Sequence, residues 1–103
     1  MAYKLLLTES AGCDLDGILA HLTGELRSPA AASELLDAIE VVYQHLEESP
    51  FLYALCRQKL LAAYGYRKVP IRGYLMIYRV DEARQIVYIE RFFSELEDFE
   101  SKL

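Results

Sequence analysis

Two amphipathic helical segments lie next to each other between residues 8 and 49, and they constrain the fold more than any other feature of the sequence. In each segment apolar residues recur at spacings of three and four, which places them on one face of a helix. These positions are Leu15, Ile18, Leu19, Leu22 and Leu26 in the first segment, and Ala32, Leu35, Leu36, Ile39, Val42, Tyr43 and Leu46 in the second. Ser28-Pro29 starts the second helix and Ser49-Pro50 ends it. The short connection predicts an antiparallel helical hairpin.

Apolar stretches on both sides of the hairpin predict strands. The four predicted strands cover residues 3–8, 66–71, 74–80 and 86–93. In the first of them Leu5-Leu6-Leu7 leaves no polar face, which indicates burial on both sides. Pro70 makes the second an edge or interrupted strand, because proline cannot donate a hydrogen bond to a neighbouring strand. Arg72-Gly73 and the charged residues 81–85 supply the turns that join the last three strands.

The remaining segments complete a single domain. Residues 51–65 lack a sustained period, and Lys59 to Tyr64 fit either a turn of helix or a loop. Residues 95–103 predict a short final helix, with Leu96 and Phe99 as its apolar contacts. An antiparallel meander needs a cover for its apolar face, and the hairpin supplies one. The sequence therefore predicts an α+β domain over residues 1–103, of order β-α-α-β-β-β with a short C-terminal helix: a small antiparallel sheet covered on one face by a helical hairpin.

The charges are distributed unevenly along the chain. The sequence has 16 acidic and 11 basic residues, for a net charge of −5. Eight cations and three acids lie between Arg57 and Arg91, whereas the rest of the chain carries three cations and 13 acids. The acidic balance disfavours direct nucleic-acid binding, which depends on dense positive charge. The basic segment can still bind an acidic partner locally.

Other features narrow the class of protein. No apolar run approaches the roughly 20 residues that cross a bilayer, and no secretion signal opens the chain, which predicts a cytoplasmic protein without membrane contact. The histidines lie on different helices without a ligand cluster, so neither a metal site nor a cofactor is predicted. Cys13 and Cys56 are too few for a disulfide framework. Cys13 has no base nearby in sequence, and Cys56 is predicted to be buried or in a loop. This pattern argues against nucleophilic catalysis.

Four strings, in their order and spacing, resemble the RelE/ParE superfamily of toxins from bacterial type II toxin–antitoxin systems. The strings are AGCDLDGI at residues 11–18, GYRKVPI at 65–71, GYLMIYRVDE at 73–82 and VYIER at 87–91. The resemblance covers nearly the whole chain. It implies a toxin that is neutralised by a cognate antitoxin, whose disordered tail folds onto it through an apolar helix or an added strand. In this superfamily, RelE-like members cut messenger RNA in the ribosome, and ParE-like members poison DNA gyrase.

The residues at the positions that serve RNA cleavage in the superfamily favour the ParE branch. Cutting members commonly carry an arginine after the Gly-Tyr of the middle strand, where this chain has Leu75. They also carry basic, histidine or tyrosine residues after the last strand, where this chain reads FFSELEDF at 92–99. Acids at that point would repel an anionic substrate. The resemblance therefore implies action by binding, with DNA gyrase as the target and without a catalytic residue.

Two alternatives remain open. One is a ribosome-dependent mRNA endoribonuclease of the RelE type. The other is a non-toxic relative that binds an antitoxin, because ParE-like chains commonly have a Gly-Arg-containing tail after the last strand and this chain does not. The assembly is expected to be either a homodimer or a toxin–antitoxin hetero-oligomer.

Five residues are candidates for contacts with the target or the antitoxin. The first are Arg67, Arg79 and Arg91, which lie on successive predicted strands and form an anion-facing row if they converge on one sheet face. The alternative is that they are solvated arginines paired with nearby acids. Tyr74 and Tyr78 come next, although tyrosines at strand period equally fit simple packing. The acidic tail from residue 95 to 100 is either a solvated helix face or a cover for the basic sheet face.

Overall fold

The secondary structure was obtained from a computed structural model, which describes residues 2–103. In chain order the elements are β1 (Lys4–Leu7), α1 (Glu9–Ala20), a π-helical turn (His21–Glu25), α2 (Pro29–Glu48), α3 (Lys59–Ala63), β2 (Arg67–Ile71), β3 (Tyr74–Asp81), β4 (Ile86–Ser94) and a 3-10 turn (Phe99–Ser101). Within the described residues, no helix combines the length and the apolar character that a membrane span requires.

Side-chain caps begin both long helices. The Thr8 hydroxyl accepts a hydrogen bond from the Ala11 N–H at 3.0 Å, and the Ser28 hydroxyl accepts one from the Ala31 N–H at 3.2 Å. Each bond satisfies an N–H group that the first turn of a helix leaves without a partner. Between the helices the chain reverses at Arg27, whose φ is +47°. The predicted helical hairpin is confirmed.

The four strands form one sheet in the order β1-β4-β3-β2. The strands β2, β3 and β4 form the predicted antiparallel meander, and β1 pairs parallel to β4. The α+β fold class is therefore confirmed, but the sheet is mixed rather than wholly antiparallel. Parallel neighbours need a long crossover connection, and the hairpin together with β2 and β3 supplies it.

Apolar residues pack on both faces of the sheet. We call the side packed against α1 and α2 the helix face, and the opposite side the outer face. The helix-face core includes Leu35, Ile39 and Leu46 from α2 and Met76, Tyr78, Val87 and Ile89 from the sheet. The outer face carries a smaller cluster of Cys56, Leu61, Ile77 and Phe93, against which Tyr66 and Phe99 pack. The outer face is thus partly covered by α3 and the C-terminal tail.

Two local predictions were wrong. Burial of β1 on both sides is not observed, because β1 is an edge strand; Leu6 is 37% exposed and Leu7 43% exposed. The predicted helix over 95–103 is only the 3-10 turn, since so few residues cannot offset the cost of starting a helix. In that tail Leu96 is 97% exposed, whereas Phe99 makes the expected apolar contact.

Candidate functional site

The strand register separates the three candidate arginines. Arg67 pairs with Tyr78, whose side chain lies in the helix-face core, so Arg67 leaves the sheet on the helix face. Arg79 follows Tyr78 along β3 and projects from the outer face. Arg91 lies opposite Ile77 beside a bulge in the β3–β4 pairing, which also directs it to the outer face. A row of all three arginines is therefore not formed.

Arg79 is held by an ion pair within the sheet. Its Nε donates to the Glu90 carboxylate at 2.6 Å, and this hydrogen bond raises the pKa of Arg79. Its guanidinium also lies 5.3 Å from the centre of the Tyr88 ring. Tyr88 is in turn the register partner of Leu6 on β1. The outer face thus presents a neutralised guanidinium, an aromatic ring and a leucine on three adjacent strands.

Arg91 donates more hydrogen bonds than Arg79, and these bonds join three parts of the chain. Its Nε and Nη2 donate to the two Asp14 oxygens at 2.7 and 3.1 Å, and its Nη1 donates to the Lys102 carbonyl at 3.4 Å. The hydrogen bonds that Arg91 donates to Asp14 raise the pKa of Arg91. The guanidinium also lies 4.8 Å from the centre of the Phe93 ring. Arg91 therefore connects β4 to α1 and to the tail.

Arg67 stands at the β2 edge of the sheet. Its Nη1 donates to the Tyr53 carbonyl at 2.7 Å, and its guanidinium lies 5.1 Å from the centre of the Phe51 ring. These contacts fix the segment that connects α2 to β2.

The two candidate tyrosines both belong to the helix face. Tyr78 is fully buried, its hydroxyl donates to the Pro50 carbonyl at 2.9 Å, and burial raises its pKa to about 12. A fully buried ring cannot contact a partner, so Tyr78 is a core residue rather than a contact residue. Tyr74 is half-buried and packs at the margin of the same core, where it lines two surface grooves.

One of these grooves has a volume of about 470 Å³ and lies between α1 and the end of β4. Its lining includes Cys13, His21, Tyr74, Arg91 and Glu97. His21 pairs at 3.2 Å with Glu25, the last residue of the π-helical turn, and Arg91 is held by Asp14. The charged groups of the groove are thus engaged in internal pairs. Among residues 2–103, no three His, Cys, Asp or Glu side chains are grouped as metal ligands.

The C-terminal tail folds onto the outer face. The Phe99 ring centre lies 6.2 Å from that of Phe93, and the Lys68 Nζ lies 5.8 Å from the centre of Phe99. Glu97 accepts hydrogen bonds from the Lys102 ammonium at 2.6 Å and from a backbone N–H in β4, and both lower the pKa of Glu97. The tail therefore covers one end of the outer face through an aromatic contact flanked by charge pairs.

Two features of the surface were missed by reasoning from the sequence. Asp14 has no local signal, because it lies 77 positions from the arginine it binds. The segment between α2 and β2 exposes five large apolar side chains: Phe51, Leu52, Leu55, Leu60 and Tyr64. The signal that points to this segment is the absence of any Asp or Glu from Ser49 to Gly73.

Comparison with known proteins gives one family. The family model described as "ParE toxin of type II toxin-antitoxin system, parDE" matches residues 5–99. The fold is similar to that of a chain in the chromosomal ParDE system from P. aeruginosa, with 21% identity, a TM-score of 0.69, and coverage of 90% of this chain and 96% of that chain. No curated protein sequence matches significantly.

Two further solved structures share the fold. A double-mutant E. coli toxin RelE in the free state is 18% identical, with a TM-score of 0.68 and coverage of 98% of this chain and 93% of that chain. A chain of the toxin–antitoxin complex RelBE2 from Mycobacterium tuberculosis is 20% identical, with a TM-score of 0.65 and coverage of 92% of this chain and 100% of that chain.

Proposed function

This chain belongs to the ParE toxin family of type II toxin–antitoxin systems, and from that premise we propose that it acts by binding two proteins, a cognate antitoxin and a cellular target. The observation that carries the proposal is that the arginines on the outer face are paired with carboxylates of this chain. Arg79 and Arg91 are both committed to internal carboxylates, at 2.6 and 2.7 Å.

Because these arginines are paired within the chain, we favour action by protein binding over cleavage of RNA. Cleavage of a phosphodiester requires cationic groups directed at the charge that develops on the phosphate. Here the two outer-face guanidiniums are neutralised, and the position after Gly73-Tyr74 is occupied by Leu75. The end of the outer face is also covered by an acidic tail, which repels an anionic substrate.

The open edge of β1 supports the antitoxin as one partner. The Lys4 N–H donates to the Gln85 carbonyl just before β4, and the Thr8 N–H donates to the Ile89 carbonyl in β4. The N–H groups of Leu5 and Leu7 therefore point away from β4. Leu6 and Leu7 are also partly exposed along this strand. An extended, apolar segment of an antitoxin tail adds to such an edge as a further strand, with main-chain hydrogen bonds and side-chain pockets. Solved structures with this fold are described as a chromosomal ParDE toxin–antitoxin system and as RelBE toxin–antitoxin complexes.

Membership of the ParE family supports DNA gyrase as the cellular target. A second candidate function is an antitoxin-binding relative without toxicity. The observation that favours it is the tail, which lies on the outer face and masks Phe93.

Expression of the chain in a bacterium that lacks the antitoxin tests the proposal. Growth arrest with induction of the SOS response, relieved by co-expression of the antitoxin, is the expected result. Arrest with ribosome-dependent, codon-linked cuts in messenger RNA would instead identify an endoribonuclease. Soluble protein that binds the antitoxin without arresting growth selects the second candidate.

The β1 edge can be tested separately by measuring antitoxin affinity. Leu7→Lys is expected to weaken the antitoxin complex at least tenfold, because it places a charge at the proposed strand-pairing edge. Leu36→Lys is the matched control, since Leu36 on α2 has the same 43% exposure as Leu7. Equal affinity of the two variants would contradict docking at β1.

A further inference from the structure

The segment between α2 and β2 has an unusual surface. We call residues 51–64 the connecting platform. It exposes Phe51 (46%), Leu52 (57%), Leu55 (41%), Leu60 (57%) and Tyr64 (65%). Leu60 lies on α3, and Tyr64 caps the C-terminus of that helix with its N–H donating to the Leu60 carbonyl at 3.1 Å, so the two side chains lie on the same side of the helix. Several large apolar side chains exposed within one short segment are typical of a surface that binds another protein.

Hydrogen bonds to β2 and within the segment hold the platform in place. The Arg67 guanidinium donates to the Tyr53 carbonyl at 2.7 Å, and the Cys56 N–H donates to the Tyr66 carbonyl at 2.9 Å. The Gln58 side chain caps α3 by accepting from the Leu61 N–H at 2.9 Å, and Leu61 itself is buried. The fold thus holds the apolar side chains in water, although their burial would be favourable. A preorganised surface of this kind loses little entropy when a partner binds.

The charged residues in and around the platform indicate what kind of partner it binds. The sequence from Ser49 to Gly73 contains no acidic residue. Its cations are Arg57, Lys59, Arg67, Lys68 and Arg72. In the part of the chain that the structure describes, Arg57, Lys59 and Lys68 form no ion pair, in contrast to Arg79 and Arg91. The platform therefore combines two cations without an ion pair, Arg57 and Lys59, with exposed apolar surface.

We propose that the connecting platform is the docking surface for the toxin's cellular target, through a target segment in which carboxylates alternate with apolar side chains. This inference rests on the proposed function. The carboxylates would pair with Arg57 and Lys59, and the apolar side chains would cover Leu60 and Tyr64. A nucleic acid fits less well, because the net charge of −5 repels a polyanion at long range and the exposed leucines offer it no contact.

The position of the platform in the fold separates it from the proposed antitoxin site. The sheet order is β1-β4-β3-β2, so the β1 edge and the platform beside β2 lie at opposite ends of the sheet. The Leu55–Arg67 bridge places the platform directly against the β2 edge. Substitutions at the platform should therefore change target binding without changing antitoxin binding.

Site-specific photo-crosslinking in growing bacteria tests the proposal. A photo-reactive phenylalanine is placed at Leu60, and at Leu26 as the matched control, since both leucines are 57% exposed. The expected result is an adduct at position 60 alone, whose crosslinked peptide, identified by mass spectrometry, contains Asp or Glu among apolar residues. The double variant Arg57→Glu/Lys59→Glu should reduce this adduct at least tenfold, with antitoxin affinity unchanged within twofold.

Other outcomes overturn the proposal. Adducts with the antitoxin, with RNA or with lipid at position 60 would each identify a different occupant. An adduct no stronger than that at position 26, or one unaffected by the double charge reversal, would show that the platform is not a docking surface. Antitoxin binding and growth arrest by the unsubstituted chain are scored independently, so failure of the proposed function is distinguished from failure of this inference.

Discussion

Asp14 and Arg91 are joined by two hydrogen bonds between α1 and the last strand, at 2.7 and 3.1 Å. The same Asp14 carboxylate accepts the backbone N–H of Phe92 at 3.1 Å. One carboxylate on α1 therefore accepts hydrogen bonds from a charged side chain and from a backbone N–H of β4. These bonds lie beyond the end of β1, where α1 packs beside β4. Charge-assisted hydrogen bonds of this type are about twice as strong as neutral ones.

Asp14→Ala is expected to lower the free energy of unfolding by about 2–3 kcal/mol, because it leaves a half-buried guanidinium and a strand N–H without their acceptor. Urea denaturation of the variant measures this loss. Asp16→Ala is the matched control, since Asp16 is exposed on the same helix. A similar midpoint for both variants would show that the Asp14 contacts do not stabilise the fold.

The contact between Phe99 and Phe93 predicts that the tail masks binding surface. Phe99→Ala is expected to release the tail, to lower stability by about 1–2 kcal/mol and to raise affinity for an acidic antitoxin peptide. Leu96→Ala is the control, because Leu96 is 97% exposed. Calorimetry with the peptide measures the affinity. Unchanged affinity in a folded Phe99→Ala variant would remove the masking role.

The helices and the meander were predictable because their signals are local. Ser28-Pro29 marks a helix start, and the three- and four-residue spacings of Leu35 and Ile39 mark a buried face, without reference to any distant residue. The pairing of β1 is different, because a strand's partner depends on the path of the whole chain. Leu6 therefore reads as a buried residue in sequence, and only its edge position leaves it exposed.

The candidate site was predicted less completely than the fold, because strand register decides on which face of the sheet each side chain lies. A bulge at Ile77 and Tyr78 and the pairing of Arg67 with Tyr78 decide which face each arginine occupies, and neither is visible in side-chain alternation. The partner of Arg91 is likewise remote in sequence. The roles of Arg67, Arg79, Arg91 and Tyr74 in binding stay predictions.

Arg79 is the outer-face arginine best placed to contact an antitoxin, because it adjoins Tyr88 and the β1 edge. Arg79→Ala is expected to weaken the antitoxin complex about tenfold in a direct binding assay, because the Arg79 side chain, paired with Glu90, packs on the Tyr88 ring and shapes the surface beside β1 that the antitoxin segment would cover. Arg84→Ala is the control, since Arg84 is highly exposed in the β3–β4 turn. Equal losses in both variants would indicate a general charge effect rather than a contact.

Two tyrosines with buried hydroxyl groups predict instability in alkali. Burial raises the pKa of both Tyr43 and Tyr78 from 10 to about 12, so each hydroxyl stays neutral in the fold at a pH where the unfolded chain ionises it. Stability is therefore full below pH 10 and falls between pH 10 and 12, by about 2–3 kcal/mol for each tyrosine.

Tyr78→Phe should make that decline shallower, although loss of the hydrogen bond to the Pro50 carbonyl lowers stability at neutral pH by about 1 kcal/mol. Tyr64→Phe, at a 65% exposed position, should follow the unsubstituted protein throughout. Denaturant titrations at pH 8, 10 and 11.5 measure the difference. Parallel declines for the Tyr78→Phe variant and the unsubstituted protein would show that Tyr78 ionises as readily in the fold as in the unfolded chain.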